Sequence, residues 1–252
     1  MKFDKTVLGI AALIAAALPS AVLAADMPTY EPAPLAMPMQ QTYNWSGFYL
    51  GGQIGYGWSH STTGAISFYD AGPVFNSSIP GIGINGSGLL GGIEAGYNWQ
   101  TGHMLFGVEG DVSAADIKGG YTDTGNNFTL DSTINSLSTL RVRIGLPMDR
   151  VLLFASGGLA VAGVKASLHD TYTGNVPPVL NTSSSNTSVG WTIVAGAAVA
   201  LSHQWTFKAE YLYADLGSKT YNFSEPTPGW PLISTSGKTT ASIVRMGLDY
   251  RF

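Results

Sequence analysis

The chain has 252 residues with 32 glycines, no cysteine and a formal net charge of −4. Charged residues make up only 11% of it and aromatic residues another 11%, whereas an average soluble domain carries about a quarter charged residues. The absence of cysteine excludes disulfides, thiolate metal sites and cysteine catalysis, and the slight negative charge argues against a nucleic-acid partner. So few charges are hard to reconcile with a surface that faces water on all sides.

The first two dozen residues have the pattern of a secretion signal. Lys2 and Lys5 precede an apolar run over 7–18, and small residues follow it at the positions that a signal peptidase reads. The apolar run has about a dozen residues, which is too few to cross a bilayer as a helix. We therefore predict that 1–24 is a removed signal peptide and that the proline-rich stretch 25–44 is an extended periplasmic leader.

From residue 45 onward the sequence falls into eight alternating segments. Each predicts a strand, because the side chains of a strand point alternately to its two faces. In most segments one face is apolar or aromatic, and the other is polar or rich in glycine. The fifth segment is apolar on both faces, so its phase stays open, and we favour Leu153, Leu159 and Val161 as the outward residues. The segments are 45–59, 87–100, 104–114, 136–146, 151–165, 189–201, 205–216 and 242–252.

The connections between these segments alternate in length. The long ones are 60–86, 115–135, 166–188 and 217–238, whereas the other three have only a few residues each. Long loops at one rim and short turns at the other are typical of an outer-membrane barrel. We therefore predict that 45–252 is an all-β, eight-stranded antiparallel up-and-down transmembrane β-barrel with four long outer loops and short periplasmic turns.

The outward faces carry the residues that would meet lipid. Aromatic residues near strand ends predict interfacial girdles, which would contact outer-membrane lipid and lipopolysaccharide. The last segment alternates without interruption and places Leu248, Tyr250 and Phe252 outward. We predict that these three residues form the signal that the barrel assembly machinery recognises.

The inward faces carry five acidic and five basic residues. Because an eight-stranded barrel is just wide enough for side chains to fill, we predict a lumen charge network that plugs the bore. Buried ions without partners would be costly, so the equal numbers favour pairing. Inward glycines leave room beside the charges and keep a narrow pore as the alternative. The predicted network consists of Glu94, Glu109, Asp111, Arg141, Arg143, Lys208, Glu210, Arg245, Asp249 and Arg251.

The four histidines do not form a catalytic pattern. His103 and His203 fall in predicted periplasmic turns, and His60 and His169 begin two different outer loops. A turn histidine is more often solvated than a catalytic base, so we predict no enzymatic activity and no cofactor. His60 and His169 could meet above the rim and bind haem or a metal. That hypothesis keeps a haem-binding or adhesive function of the outer loops as the alternative.

Three sequence blocks carry a resemblance to a known family. They are 45–58, 208–217 and 244–252, with the sequences WSGFYLGGQIGYGW, KAEYLYADLG and VRMGLDYRF. Found together in this order, they resemble the porin-like surface antigens of small alphaproteobacterial outer-membrane proteins, within the OmpA-type β-barrel superfamily. The resemblance implies an integral outer-membrane protein of a Gram-negative cell with a structural or surface-antigen role and no catalytic residues. It also implies weak porin-like passage or a host or haem ligand at the outer loops.

Overall fold

The computed structural model describes residues 43–69, 75–124, 128–170, 181–223 and 232–252. The predicted signal peptide and nearly all of the predicted leader lie outside the described residues. Among the described residues, no helix has the length and apolar character that crossing a membrane requires. The ten strands are β1 (Gly47–Thr63), β2 (Ile66–Tyr69), β3 (Phe75–Ile79), β4 (Gly83–Thr101), β5 (Met104–Asp123), β6 (Phe128–Met148), β7 (Val151–Asp170), β8 (Asn181–Ala200), β9 (Trp205–Phe223) and β10 (Leu232–Arg251).

Eight of these strands close into an antiparallel barrel. β1 and β4 to β10 each pair with their neighbours in chain order, and β1 also pairs with β10. The predicted barrel is therefore confirmed. Closure gives every barrel strand a partner on both sides, which satisfies backbone groups that lipid could not hydrogen-bond. β2 and β3 form a small hairpin that pairs with the outer end of β10 and continues the wall beyond β1.

The alternation of the sequence is reproduced in the burial of the side chains. In β1, Ile54 is 68% exposed on the outer face, whereas Gln53 beside it is 4% exposed in the lumen. The fifth predicted segment, now β7, takes the favoured phase, with Leu153, Leu159 and Val161 all exposed. Its inward face is also apolar because side chains there pack into a core, which is why the pattern alone left two phases.

Two belts of aromatic side chains bound the apolar outer surface. Rings within each belt touch, as in Phe48 with Phe252 at 5.6 Å between centroids and Trp191 with Tyr213 at 5.6 Å. Aromatic rings of this kind prefer the two interfaces of a bilayer. The inner belt, beside the short turns, contains Phe48, Trp99, Trp205, Tyr250 and Phe252, and the outer belt contains Tyr56, Trp58, Trp191 and Tyr213.

The strands extend well past their predicted outer ends. Most of the predicted loops 115–135 and 166–188 is strand. In the first, β5 ends at Asp123 and β6 begins at Phe128, and in the second, β7 ends at Asp170 and β8 begins at Asn181. The loop predicted at 60–86 contains the β2–β3 hairpin. Beyond the outer belt the outer face of a strand meets water instead of lipid, and the inner face is mostly polar apart from residues such as Ile84 and Leu130, so the apolar alternation that marks a strand in the sequence weakens. The backbone ladder nevertheless continues.

A bulge in β9 lies near the outer belt, at the level where the pairing of β8 with β9 also ends. The register of β9 against β10 shifts between Lys238 and Thr240 of β10, and Gly217 in the bulge has a φ of +70°. The Asp215 carboxylate accepts a hydrogen bond from the Gly217 N–H at 2.9 Å and lies 2.9 Å from the Lys238 ammonium. A bulge bends its strand. Within the described residues, pairing of β8 with β9 stops at Trp191, although both strands continue outward.

Candidate functional site in the lumen

Nine of the ten predicted network residues lie inside the barrel, and each is at most 5% exposed. The strand register sets their pairing, because side chains directly opposite each other on neighbouring strands are in contact range. It places Glu109 of β5 opposite Arg141 of β6, and Glu210 of β9 opposite Arg245 of β10. The nine are Glu94, Glu109, Asp111, Arg141, Arg143, Lys208, Glu210, Arg245 and Asp249.

Glu109 accepts hydrogen bonds from donors on three other strands, β1, β6 and β9. Its carboxylate accepts hydrogen bonds from the guanidinium groups of Arg141 and Arg143 on β6. It also accepts from the Lys208 ammonium at 3.2 Å and from the Tyr49 hydroxyl at 2.5 Å. A carboxylate with four donors is fully compensated, and the donors converge on the centre of the bore.

A second group of charges forms around Arg245. Its guanidinium donates to Glu210 and to Asp111, with 3.2 Å between Nη1 and Asp111 Oδ1. The Thr139 hydroxyl also donates to Asp111. Arg141 joins this group to Glu109, because its guanidinium lies 3.3 Å from Asp111 and 3.7 Å from Glu210. The charges therefore form one connected network across the lumen.

Three carboxylates of the network are arranged as metal ligands would be. Ligand oxygens of Glu94, Glu109 and Glu210 all lie within 4.8 Å of one another, and hard cations prefer such oxygens. The Lys208 ammonium lies among them, in contact with Glu94, 3.2 Å from Glu109 and 4.0 Å from Glu210. The position that a metal ion would take is therefore filled by a cation of the protein.

An apolar layer covers the outer side of the network. Its residues lie outward of the charges, two residues beyond them on β9 and β10, four residues beyond them on β4 and β6 and six on β5, and all are buried. Ile117 and Ile243 meet beside Gly57, where an added Cβ would lie 2.7 Å and 3.1 Å from their side chains. Any ion that crossed the lumen would have to pass this layer as well as the charges. The layer contains Leu90, Ile117, Leu137, Leu212 and Ile243.

Arg251 is not part of the network, contrary to the prediction. Its guanidinium donates to the carbonyl oxygens of Asn44 and His203, and it lies 4.6 Å from the centroid of the Tyr43 ring. Arg251 is the last residue of β10, so its side chain lies at the periplasmic rim, where it lines the inner end of the cavity beside Asp249 without an ion pair to the network among the described residues. Alternation gives the face of a residue but not its depth along the barrel.

The periplasmic mouth is closed by two aromatic residues that the sequence did not indicate. Tyr43 and Trp45 are buried, and their ring centroids are 4.9 Å apart. Trp45 Nε1 donates to the Asp149 carbonyl at 2.9 Å, and the Tyr43 hydroxyl donates to the Ser202 carbonyl at 3.2 Å. Tyr43 belongs to the predicted leader. The two aromatic residues directly before β1 are the sequence feature from which this contact could have been predicted.

The histidines remain apart. His60 lies on β1 and His169 on β7, and three barrel strands separate these two on either path around the barrel. Both histidines are on strands, although we predicted them at loop starts. His103 and His203 lie in the short turns after β4 and β8. The structure therefore does not support haem or metal binding by His60 and His169 together.

The three predicted assembly residues lie at the inner belt. Leu248 and Phe252 are 44% and 73% exposed, and the Tyr250 and Phe252 ring centroids are 5.1 Å apart. The Phe252 N–H donates to the Phe48 carbonyl at 3.1 Å, so the last residue takes part in closing β1 against β10. Their recognition by the assembly machinery stays a prediction.

Comparison with known proteins agrees with this architecture. Residues 10–252 match the outer membrane protein beta-barrel domain family. The chain is 32% identical to the 31 kDa outer-membrane immunogenic protein of Brucella melitensis, over 96% of this chain and 98% of the relative. It is 30% identical to the 22 kDa outer membrane protein of Rhizobium leguminosarum bv. viciae, over 73% of this chain and 71% of the relative.

Among solved structures, the barrel is similar to the outer membrane protein OprG from Pseudomonas aeruginosa. The TM-score is 0.48 at 11% identity, over 82% of this chain and 96% of that chain. The family match and the relatives confirm the predicted family and the predicted location. The protein belongs to the outer membrane protein beta-barrel family and resides in the outer membrane.

Proposed function

We propose that the protein is a structural component of the outer membrane that displays its outer loops at the cell surface and keeps its lumen closed. The filled lumen is the observation that carries this proposal. The side chains of Glu109, Arg141 and Arg245 are 0% exposed, and the apolar layer lies beyond them. An entering ion would have to displace paired, desolvated charges, which is costly.

The inward glycines support closure, although they first suggested room for a pore. A Cβ added at Gly51 would lie 1.9 Å from Asp249 Oδ1, and one added at Gly247 would lie 3.0 Å from Glu94 Oε1. Both positions are therefore already filled by the network. In a bore this narrow, glycine accommodates a neighbouring side chain and does not leave a channel.

Display at the surface is the second part of the proposal. β5 to β8 continue past the outer belt with sequences rich in serine, threonine and asparagine, and these extensions hold the outer loops away from the membrane. The Brucella relative carries the word immunogenic in its name, which supports a surface-antigen role here. The two belts would contact outer-membrane lipid and lipopolysaccharide, and host ligands would meet the loops.

Single-channel recording in a planar bilayer tests closure. We expect the refolded wild type to be silent, and the triple variant Leu137→Ala/Arg141→Ala/Arg143→Ala to give discrete, salt-dependent steps, because two guanidinium groups leave the bore and the apolar layer loses a side chain. Lys118→Ala is the control, since that side chain is 66% exposed outside the lumen, and it should also be silent. Discrete steps from the wild type would overturn the proposal.

A further inference from the structure

The buried charges of the lumen do not balance. Five acids are buried, namely Glu94, Glu109, Asp111, Glu210 and Asp249, against the four bases Arg141, Arg143, Lys208 and Arg245. The difference of five minus four is one negative charge, because Arg251 is only partly buried, donates to the Asn44 and His203 carbonyl oxygens and forms no ion pair with these acids among the described residues. A net charge in a space closed to water is unfavourable, so one further positive charge is required.

The deficit falls on two of the five acids. Glu109, Asp111 and Glu210 each lie within 4.0 Å of at least two cationic groups. Glu94 contacts only Lys208, and Asp249 forms no ion pair within the described residues. Glu94 Oε1 and Asp249 Oδ1 are also buried without a hydrogen-bond donor. Both carboxyl oxygens would have a hydrogen-bond partner if one of them carried a hydrogen atom and donated it to the other.

Gly51 brings these two carboxyl groups together. It pairs with Glu94 on one side and with Asp249 on the other, and all three residues face the lumen. Because Gly51 has no side chain, Asp249 Oδ1 occupies the space where a Cβ would lie, only 1.9 Å from it. Glu94 Oε1 reaches towards β10 from the other side, since a Cβ added at Gly247 would lie 3.0 Å from it. Two carboxyl groups can hydrogen-bond to each other only if one is protonated.

We propose that Glu94 and Asp249 form a proton-binding site that holds one proton between their carboxyl groups in the folded barrel. The bound proton brings the network to neutrality and gives both unpaired oxygens a partner. Two carboxyl groups that lie close together cannot both be ionised easily, which is why such pairs share a proton.

A metal ion is a poorer candidate for the missing charge. The cavity beside Asp249 measures about 20 Å³, which is room for about one water molecule. Arg143, Lys208 and Arg251 line the same cavity and would repel a metal cation. The ionisable groups that face the pair are Tyr49, Glu109, Asp111, Arg143, Lys208, Arg245 and Arg251.

Proton binding makes the stability of the barrel depend on pH. Carboxyl groups in the unfolded chain lose their protons near pH ~4, whereas the folded site keeps one. Unfolding at neutral pH therefore releases a proton, and stability falls as pH rises until the folded site also loses its proton. One released proton corresponds to a rise of about tenfold in the unfolding equilibrium constant per pH unit.

Urea unfolding of the full chain in detergent micelles, between about pH 6 and pH 9, measures this release. We expect the unfolding constant of the wild type to rise towards that slope, and Glu94→Gln and Asp249→Asn to lose the dependence. Asp215→Asn is the control, because it alters an acid outside the lumen and should keep the wild-type slope. A wild type without the dependence, or a Glu94→Gln variant that retains it, would overturn the proposal.

Infrared spectroscopy gives a second readout that does not require the variants to fold. The folded wild type at neutral pH should show the carbonyl band of a protonated carboxyl group, and its absence would count against the site. Added sodium or magnesium chloride should not shift the pH at which the site titrates. A shift that follows the metal concentration would show that a metal ion supplies the charge, and the proton site would be rejected. Channel recordings test closure separately, so either proposal can fail alone.

Discussion

Replacing Glu109 by glutamine removes the charge at the centre of the network without changing its size. Arg143 then loses the carboxylate that it contacts, whereas Arg141 keeps Asp111 at 3.3 Å and Lys208 keeps Glu94. Two aromatic rings remain beside Arg143, since its guanidinium carbon lies 4.1 Å from the centroid of the Phe154 ring and 5.7 Å from that of Tyr49. Neither glutamine nor an aromatic ring can compensate a buried guanidinium as a carboxylate does.

The expected cost is large because the remaining charge stays buried. Removing one partner of a buried ion pair typically costs about 3–5 kcal/mol, and a desolvated cation–π contact returns only about 2 kcal/mol. Since that ring contact already exists in the wild type, we expect Glu109→Gln to lose about 3–5 kcal/mol of unfolding free energy. Glu94→Gln is the matched control, and it should lose less than about 1 kcal/mol at neutral pH, because a shared proton already lowers the charge there.

Equilibrium urea titration in micelles, followed by tryptophan fluorescence, measures both variants under the same conditions. Electrophoresis without heating checks that each variant is folded before titration. A loss below about 1 kcal/mol for Glu109→Gln would refute the assigned role of Glu109. Equal losses for the two variants would refute the distinction between a fully compensated carboxylate and a proton-sharing one.

Three further predictions concern the outer surface and the bulge. Deleting Phe252 should slow insertion and leave protein in the periplasm, as cell fractionation would show, and undiminished assembly would contradict the predicted signal. Gly217→Ala should lose about 1–2 kcal/mol in the same urea titration, because its φ of +70° is unfavourable for alanine. Gly52→Ala should lose less, since the nearest atom to its added Cβ is 3.9 Å away. Asp215→Asn should change stability little and only at low salt, because its partner Lys238 is exposed.

The sequence by itself determined the barrel and the direction of its side chains. A strand between lipid and a packed lumen must alternate with period two, so the faces of Ile54, Gln53 and Arg141 could be predicted from the order of residues. The same reasoning failed at the outer strand ends, where 115–135 was predicted as a loop. Water on the outer face weakens the alternation there, although hydrogen bonding between neighbouring strands continues and Leu130 and Ile134 stay buried on the inner face.

Only the tertiary structure decided which charges meet. The sequence gives the inward face of each residue but not its depth or its neighbours across three strands, which depend on register and on barrel closure. Arg251 was therefore assigned to the lumen although it reaches only the rim. Closure of β1 against β10 places Gly51 between Glu94 and Asp249, which are 155 residues apart. The missing side chain of Gly51 then lets the two carboxyl groups come together.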